Sequence, residues 1–368
     1  MTEYIIFGLI IIILSIMSEI SGKRYVGVLM LYLLFLSFFL IGCRYDIGAD
    51  WSNYKFFYEN GYTDTTISGT QELGYTIWNR IISWTTLPSG FYFGITAFVS
   101  LLLIYNAAKI FQIRNIPFVF LIYYCLFMGS LQFNIIRTGL LGSCLILSFA
   151  YKSINKNKLS LLWLVIGISM HYMGLIFIPV WFIIDKQIKT KYLIILSSCA
   201  LVVFLSGVGR LINTYASFLF LFSTRLEGYT NTDADGYGLS VGLVFNIIFF
   251  TYLWVSNRHK YKTDVQFRIL MNCFLTSLLI ALAFSDLGIF VARLGQVLNL
   301  SLTMLWPIFL VQQKKAKNFK GLRVIFVTLF LSVYLWSYFS KSIGYDDDTS
   351  TSSYPYNYNI EQLYKTIN

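Results

Sequence analysis

The chain has 368 residues, 57% of them hydrophobic and only 12% charged, against about a quarter charged in an ordinary soluble domain. That balance excludes the usual soluble globular classes, and the lack of short alternating apolar segments excludes a β-barrel. The formal net charge of +11 sits in short clusters between apolar runs, as at a cytoplasmic membrane face, which argues against nucleic acid as the partner.

Apolar runs near or above about 18 residues recur from end to end, predicting an all-α polytopic membrane protein with about twelve spans. Residues 1–368 are read as a single integral membrane domain, because every polar stretch is too short for a separate soluble one. The first two spans are placed at 3–19 and 25–42, with Lys23 and Arg24 between them. No basic segment precedes the first run and no small-residue cleavage site follows it, so it is read as a retained span. With Lys23 and Arg24 inside, residues 43–90 form an outer region. There, Leu73, Ile77, Ile81 and Trp84 at helical spacing predict an amphipathic interfacial helix. A third span at 91–108 returns to Lys109 and Arg114.

The next two apolar segments are each broken by polar residues. Residues 116–131 run outward, "QFNIIR" interrupts, and 138–151 return; in 159–184, "GISMHYMG" splits the run. One tilted span over 159–184 would leave Lys186, Lys189 and Lys191 outside, whereas two short segments meeting near His171 keep them inside. Interrupted spans survive where protein or a wet cavity satisfies the freed backbone. Beyond 191–206 and an interfacial stretch at 209–222 come an outer loop, 223–240, spans at 240–256, 265–283, 291–311 and 321–340, and an outer tail, 341–368.

Charge supports this orientation. The inner connections hold 19 of the 28 basic residues, whereas only Glu19, Asp185 and Asp264 of the 17 acidic residues lie there. Of those 19, 14 are lysines, whereas six of the nine outer basic residues are arginines: Arg44, Arg80, Arg137, Arg210, Arg225 and Arg293. The planar guanidinium fork suits bidentate binding of phosphate or carboxylate, so the bias points to an anionic ligand on the outer side.

Among acidic candidates, Asp50 is placed to pair with Arg44 or to orient a sugar hydroxyl. Glu72 is read as a reserve base or as a charge favoured at the start of its helix. His171, in the second interruption, suits backbone hydrogen bonding, proton transfer or phosphate contact. His259 lies in the inner cluster "NRHKYK" and reads as a surface residue. Tyr54, Tyr354 and Tyr356 are candidates for stacking on sugars or for interfacial anchoring. The five scattered cysteines and two histidines give no zinc spacing, and there is no nucleotide-binding glycine fingerprint. Neither a metal nor a cofactor is expected.

The stretches "RYDIGADWSNY" (44–54), "ELG" (72–74), "FNIIRTGL" (133–140), "HYMGLIFIP" (171–179), "ARLGQ" (292–296) and "YPY" (354–356) together resemble the EpsG-like branch of the Wzy-type bacterial polysaccharide polymerases. The resemblance implies a GT-C-like glycosyltransferase of the bacterial inner membrane with its active site facing the periplasm or exterior. It implies undecaprenyl-diphosphate-linked repeat units as substrates, inverting transfer without a metal, and a flippase and a chain-length regulator as partner proteins. With this resemblance, Arg137, Arg225 and Arg293, then Arg44 and Arg210, are the expected diphosphate contacts. His171, Asp50 and Glu72 are the expected proton acceptors. Two rival readings remain: a ligase that moves a finished glycan to another acceptor, and a transporter or flippase for a lipid-linked glycan.

Overall fold

The structure is a computed structural model describing residues 2–21, 26–48, 50–60, 72–207, 241–285 and 288–315, and within them it is essentially all helix. Arg210, Arg225, Tyr354, Tyr356, the stretch 209–222, the loop 223–240, the span 321–340 and the tail 341–368 lie outside the described residues. The chain falls into two compact units, Met1–Ile178 with Thr303–Asn368, and Pro179–Leu302.

In the first unit, the initial apolar runs become α1 (Thr2–Ser21) and α2 (Val26–Gly42), followed by α3 (Trp51–Asn60), α4 (Leu73–Ser83) and α5 (Ser89–Ile110). Next, α6 (Ile116–Tyr123) passes through a π-helical turn, Tyr124–Met128, and a last short turn, Gly129–Leu131. Then come α7 (Ile136–Ser153), α8 (Asn157–Met170) and a 3-10 turn, Tyr172–Ile176. α7 forms the centre: nearly all of its side chains are buried, and α5 and α8 pack against it. α2 covers α5, α1 covers α6, and α4 lies against α8 and α3.

Helix starts follow local chemistry. Asn115 caps α6 by accepting from the Phe118 amide at 3.1 Å, a contact typically worth about 1 kcal/mol. α9 (Phe177–Ile183) leads into the second unit, which contains α10 (Thr190–Ser206), α11 (Val241–Ser256), α12 (Arg258–Thr263), α13 (Val265–Ala283) and α14 (Gly288–Asn299). α13 is its core, touched by α10, α11, α12 and α14. Asp264 caps α13, accepting from Gln266 and Phe267 amides. α15 (Ser301–Lys315) follows.

Both interruptions read from the sequence are present: α6 and α7 are separated around Gln132–Ile135, and α8 stops at Met170. One expectation is corrected. The span placed at 291–311 is two helices, α14 and α15, divided at Leu300, beside the polar pair Asn299 and Ser301.

Among the described residues two helices, Ser89–Ile110 and Val265–Ala283, are long and apolar enough to cross a membrane, and several shorter helices are also apolar. The outer surface identifies the solvent better than length does. On α1, Tyr4, Phe7, Ile11 and Leu14 are buried while Ile5, Leu9, Ile12 and Ile16 are exposed. α2, α8 and α10 show the same split, exposing Leu31 and Phe35, Leu161 and Val165, and Ile194 and Val202. Helices apolar on the core face and the outer face alike belong in hydrocarbon, since soluble proteins rarely expose such continuous patches.

α4 shows this most sharply. Its apolar stripe, Leu73, Ile77, Ile81 and Trp84, points away from the protein, while Tyr75, Asn79 and Ile82 are buried against it. The amphipathic helix therefore turns its greasy side outward and its polar, aromatic side inward, the split that an interfacial helix has.

Candidate active site

The first unit brings three residues together that are 65 and 99 positions apart in sequence. Glu72 stands just ahead of α4 with extended backbone, φ −65° and ψ 140°, and its side chain makes no capping hydrogen bond. The carboxylate at the start of this helix is instead hydrogen-bonded by residues of two other elements. Its Oε2 accepts from Arg137 Nη1 at 2.7 Å, and its Oε1 meets His171 Nδ1 at 2.8 Å. The Glu72 side chain is 1% exposed, that of His171 11% and that of Arg137 26%.

Each of the three is positioned by an irregularity of the chain. Arg137 lies in the first turn of α7, where the helix macrodipole disfavours a cation; Glu72 offsets that repulsion. His171 ends α8 in extended conformation, its amide donating to Gly167 O at 3.2 Å and its carbonyl accepting from Gly174 N at 2.9 Å. Glu72 reaches His171 because α4 comes very close to the end of α8. A Cβ on Gly74 would lie 2.2 Å from Ser169 Oγ and 2.8 Å from its backbone carbonyl carbon. Any side chain at Gly74 would force these elements apart.

The loop that begins "RYDIGAD" is fitted onto the first interruption. Gly48 has φ +97°, and a Cβ there would stand 1.9 Å from Phe133 O, so only glycine permits the approach. The Asp50 amide donates to Asn134 Oδ1 at 3.2 Å. The π-turn that precedes this interruption is a type of irregularity frequent at functional sites, and Gln132 Nε2 donates to the Tyr123 hydroxyl at 2.6 Å.

Aromatic rings enclose the inner side of Arg137. Its guanidinium carbon lies 5.8 Å from the Tyr54 ring centre and 5.6 Å from that of Tyr75, distances at which cation–π attraction operates. The Tyr75 hydroxyl is hydrogen-bonded to that of Tyr92, and burial raises the Tyr75 phenol well above its ordinary pKa, so it stays protonated. Trp78 Nε1 donates to Thr96 Oγ1 at 3.0 Å, tying α4 to α5.

Other residues singled out from the sequence have different surroundings. Arg44 is fully buried, its guanidinium carbon 4.5 Å from the Phe93 ring centre and 5.3 Å from that of Phe133. It is packed into the core, with no face through which to meet an anion. Tyr54 is buried against Arg137 and Tyr75 and presents no open platform for a sugar. Asp50 is half-buried ahead of α3. Arg293 is half-exposed on α14 in the second unit. His259 is exposed, as expected. Sequence reading overlooked Tyr75, Tyr92 and Asn79. The helical spacing of Glu72, Tyr75, Asn79 and Ile82, opposite the greasy stripe, was the available signal.

Glu72 lies outside the spanning segments, and its ionisation governs the cluster. Burial alone would raise its pKa, but the hydrogen bond from His171 and the charge of Arg137 outweigh burial and hold it at about 2. An ionised carboxylate only accepts, so the proton of the short contact resides on His171 Nδ1, and Nε2 is the ring nitrogen not engaged by Glu72. A depressed carboxyl pKa contributes stability that is fully present above the ordinary value of 4.5 and lost as pH falls toward about 2. Thermal melting in detergent micelles across that window should show wild type losing on the order of 3 kcal/mol relative to Glu72→Gln, whose side chain does not titrate. A constant difference between the two proteins would contradict the ionised assignment.

Arg137 gives Nη1 to Glu72 and is also hydrogen-bonded to the Tyr54 side chain, while its buried Nε has no hydrogen-bond partner among the described residues. A half-exposed cation thus sits beside an oriented imidazole, with one carboxylate bound to both. No curated protein and no solved structure matches the chain. The model of the EpsG family matches residues 27–358, nearly the whole chain, and the protein, in which the stretches at 72–74, 133–140 and 171–179 supply the cluster described above, belongs to this membrane-protein family of polysaccharide polymerases.

Proposed function

We propose that the protein polymerises oligosaccharide repeat units carried on undecaprenyl diphosphate, at the outer face of the bacterial inner membrane, by inverting transfer without a metal. About twelve spans in a GT-C-like arrangement would carry the site. The observation that supports this reading is the single buried carboxylate of Glu72, which aligns Arg137 with one oxygen and His171 with the other.

In the reaction, a hydroxyl oxygen at the non-reducing end of the incoming unit attacks the anomeric carbon of the growing chain. The bond from that carbon to the diphosphate oxygen breaks, and the diphosphate leaves on its lipid. His171 Nε2 takes the hydroxyl proton. Arg137 meets the negative charge that grows on the departing oxygen, which is where a preorganised cation lowers the barrier most. Glu72 touches neither substrate; it is a positioning residue that fixes the imidazole tautomer and the guanidinium direction. An inverted product follows from direct displacement on the face opposite the leaving group.

The test is reconstitution of the full chain in liposomes with a synthetic polyprenyl-diphosphate repeat unit. A ladder of product lengths is expected. One transfer to an unrelated acceptor would instead make it a ligase, and relocation of the lipid without a new glycosidic bond would make it a transporter.

A further inference from the structure

In the second unit, two segments distant in sequence, 184–191 and 257–264, are fastened side by side by interior groups. Asn272 Nδ2 donates to Ile184 O at 2.7 Å and to Lys186 O at 2.9 Å. Arg268 Nε donates to Asp185 O at 2.8 Å and its Nη1 to Lys262 O at 3.0 Å. The Tyr261 hydroxyl donates to Asn272 Oδ1 and accepts from the Ile188 amide, both at 2.9 Å. Gln187 Nε2 closes the outer edge by donating to Lys262 O at 2.8 Å. Tyr261, Arg268 and Asn272 are all buried. They satisfy the carbonyls left open after α9 and hold the connection in one shape.

That shape gathers positive charge. Lys186, Lys189, Lys191, Arg258, His259 and Lys262 are exposed on these two segments, and Arg258 Nη2 donates across to Thr190 Oγ1 at 3.0 Å. The acidic side chains of the two segments are Asp185, 3.6 Å from Lys186 Nζ, and Asp264, 3.9 Å from Lys260 Nζ. Exposed apolar residues adjoin them along the chain: Phe182 and Ile183 on one side, Tyr192 and Ile194 on the other, and Val255 before α12. Cations thus begin where a lipid-facing surface ends, the depth at which phospholipid phosphates lie.

We propose that this platform is a binding site for anionic phospholipid headgroups, shaped by the buried Tyr261–Asn272–Arg268 knot and not merely a sum of separate charges. It depends on the membrane assignment alone, and stands whatever bond the Glu72 cluster makes. A fixed platform loses little freedom on taking a headgroup, whereas lysines on a loose loop lose more. The knot therefore contributes affinity without itself touching lipid.

The test uses the full chain in phosphatidylcholine vesicles carrying a trace of spin-labelled phosphatidylglycerol or spin-labelled phosphatidylcholine, comparing the fraction of each label immobilised by protein. Wild type is expected to prefer phosphatidylglycerol. The triple variant Lys186→Gln, Arg258→Gln, Lys262→Gln should lower that preference by about tenfold. Tyr261→Phe removes two hydrogen bonds and no charge, keeps its ring against Trp254 at 4.5 Å, and should lower the preference about fivefold. Melting temperature confirms that each variant is folded. An unchanged preference in folded Tyr261→Phe would overturn the built site in favour of diffuse charge. Absence of any preference in wild type, with polyglutamate captured instead, would overturn it in favour of an acidic polypeptide partner.

Discussion

Replacing His171 with alanine is expected to slow glycan elongation in liposomes by about 10²–10⁴-fold, the usual contribution of a positioned general base. The bundle should remain folded, since the lost hydrogen bond to a charged partner costs about 1.5–3 kcal/mol. His171→Asn separates the two possible roles. An asparagine amide can replace the Nδ1 donor to Glu72 but offers no basic nitrogen where Nε2 stood. Melting should recover in His171→Asn while elongation stays low. Recovery of both would show that the imidazole only ties α8 to α4, and the proton would need another acceptor, Asp50 first.

The second large effect is at Arg137. Arg137→Ala should lower elongation by about 10²–10³-fold, comparable to removing one donor that stabilises a developing oxyanion. It also leaves the Glu72 carboxylate, 1% exposed, with His171 as its remaining partner, and breaking a buried pair in this way costs about 3 kcal/mol. Stability and rate are therefore lost together in the single variant, and a second variant is needed to part them. Combining Glu72→Gln with Arg137→Gln removes both charges, so melting should return close to wild type while elongation remains low. If elongation returned as well, Arg137 would be no more than the counter-ion of Glu72. Arg137→Lys should fall between, because it keeps the charge and loses the planar fork.

Much of the helical order could be read from the sequence because long apolar runs leave few alternatives. Val265–Ala283 was placed to the residue, and the break at His171 was marked by polar residues in a run otherwise apolar. α3 escaped, being short, aromatic and of mixed polarity, and so did the π-turn, whose residues are as apolar as their neighbours. For the site, residue types were legible but adjacency was not. Periodicity reports which face of one helix a residue occupies, and it cannot report that residues 65 and 99 positions apart share a carboxylate. Arg44 shows the opposite failure: an outer arginine beside a span looked ligand-facing, yet cation–π packing against Phe93 and Phe133 holds it inside. Glu72 ranked behind Asp50 because a helix-leading glutamate has an ordinary explanation, and only tertiary structure shows that its carboxylate is shared by Arg137 and His171.

The outward-turned stripe of α4 links the chemistry to the surroundings of the protein. On its inner side this helix is pinned by Tyr75, the Trp78–Thr96 contact and the close approach of Gly74 to Ser169. On its outer side Leu73, Ile77, Ile81 and Trp84 are exposed, the arrangement of a helix that rests on acyl chains and headgroups. Stripping lipid with a harsh detergent thus withdraws half the support of the segment that begins at Glu72, and the carboxylate loosens its hold on both neighbours before the spans come apart. Catalytic competence should accordingly vanish earlier than helicity during delipidation and return when phospholipid is added back.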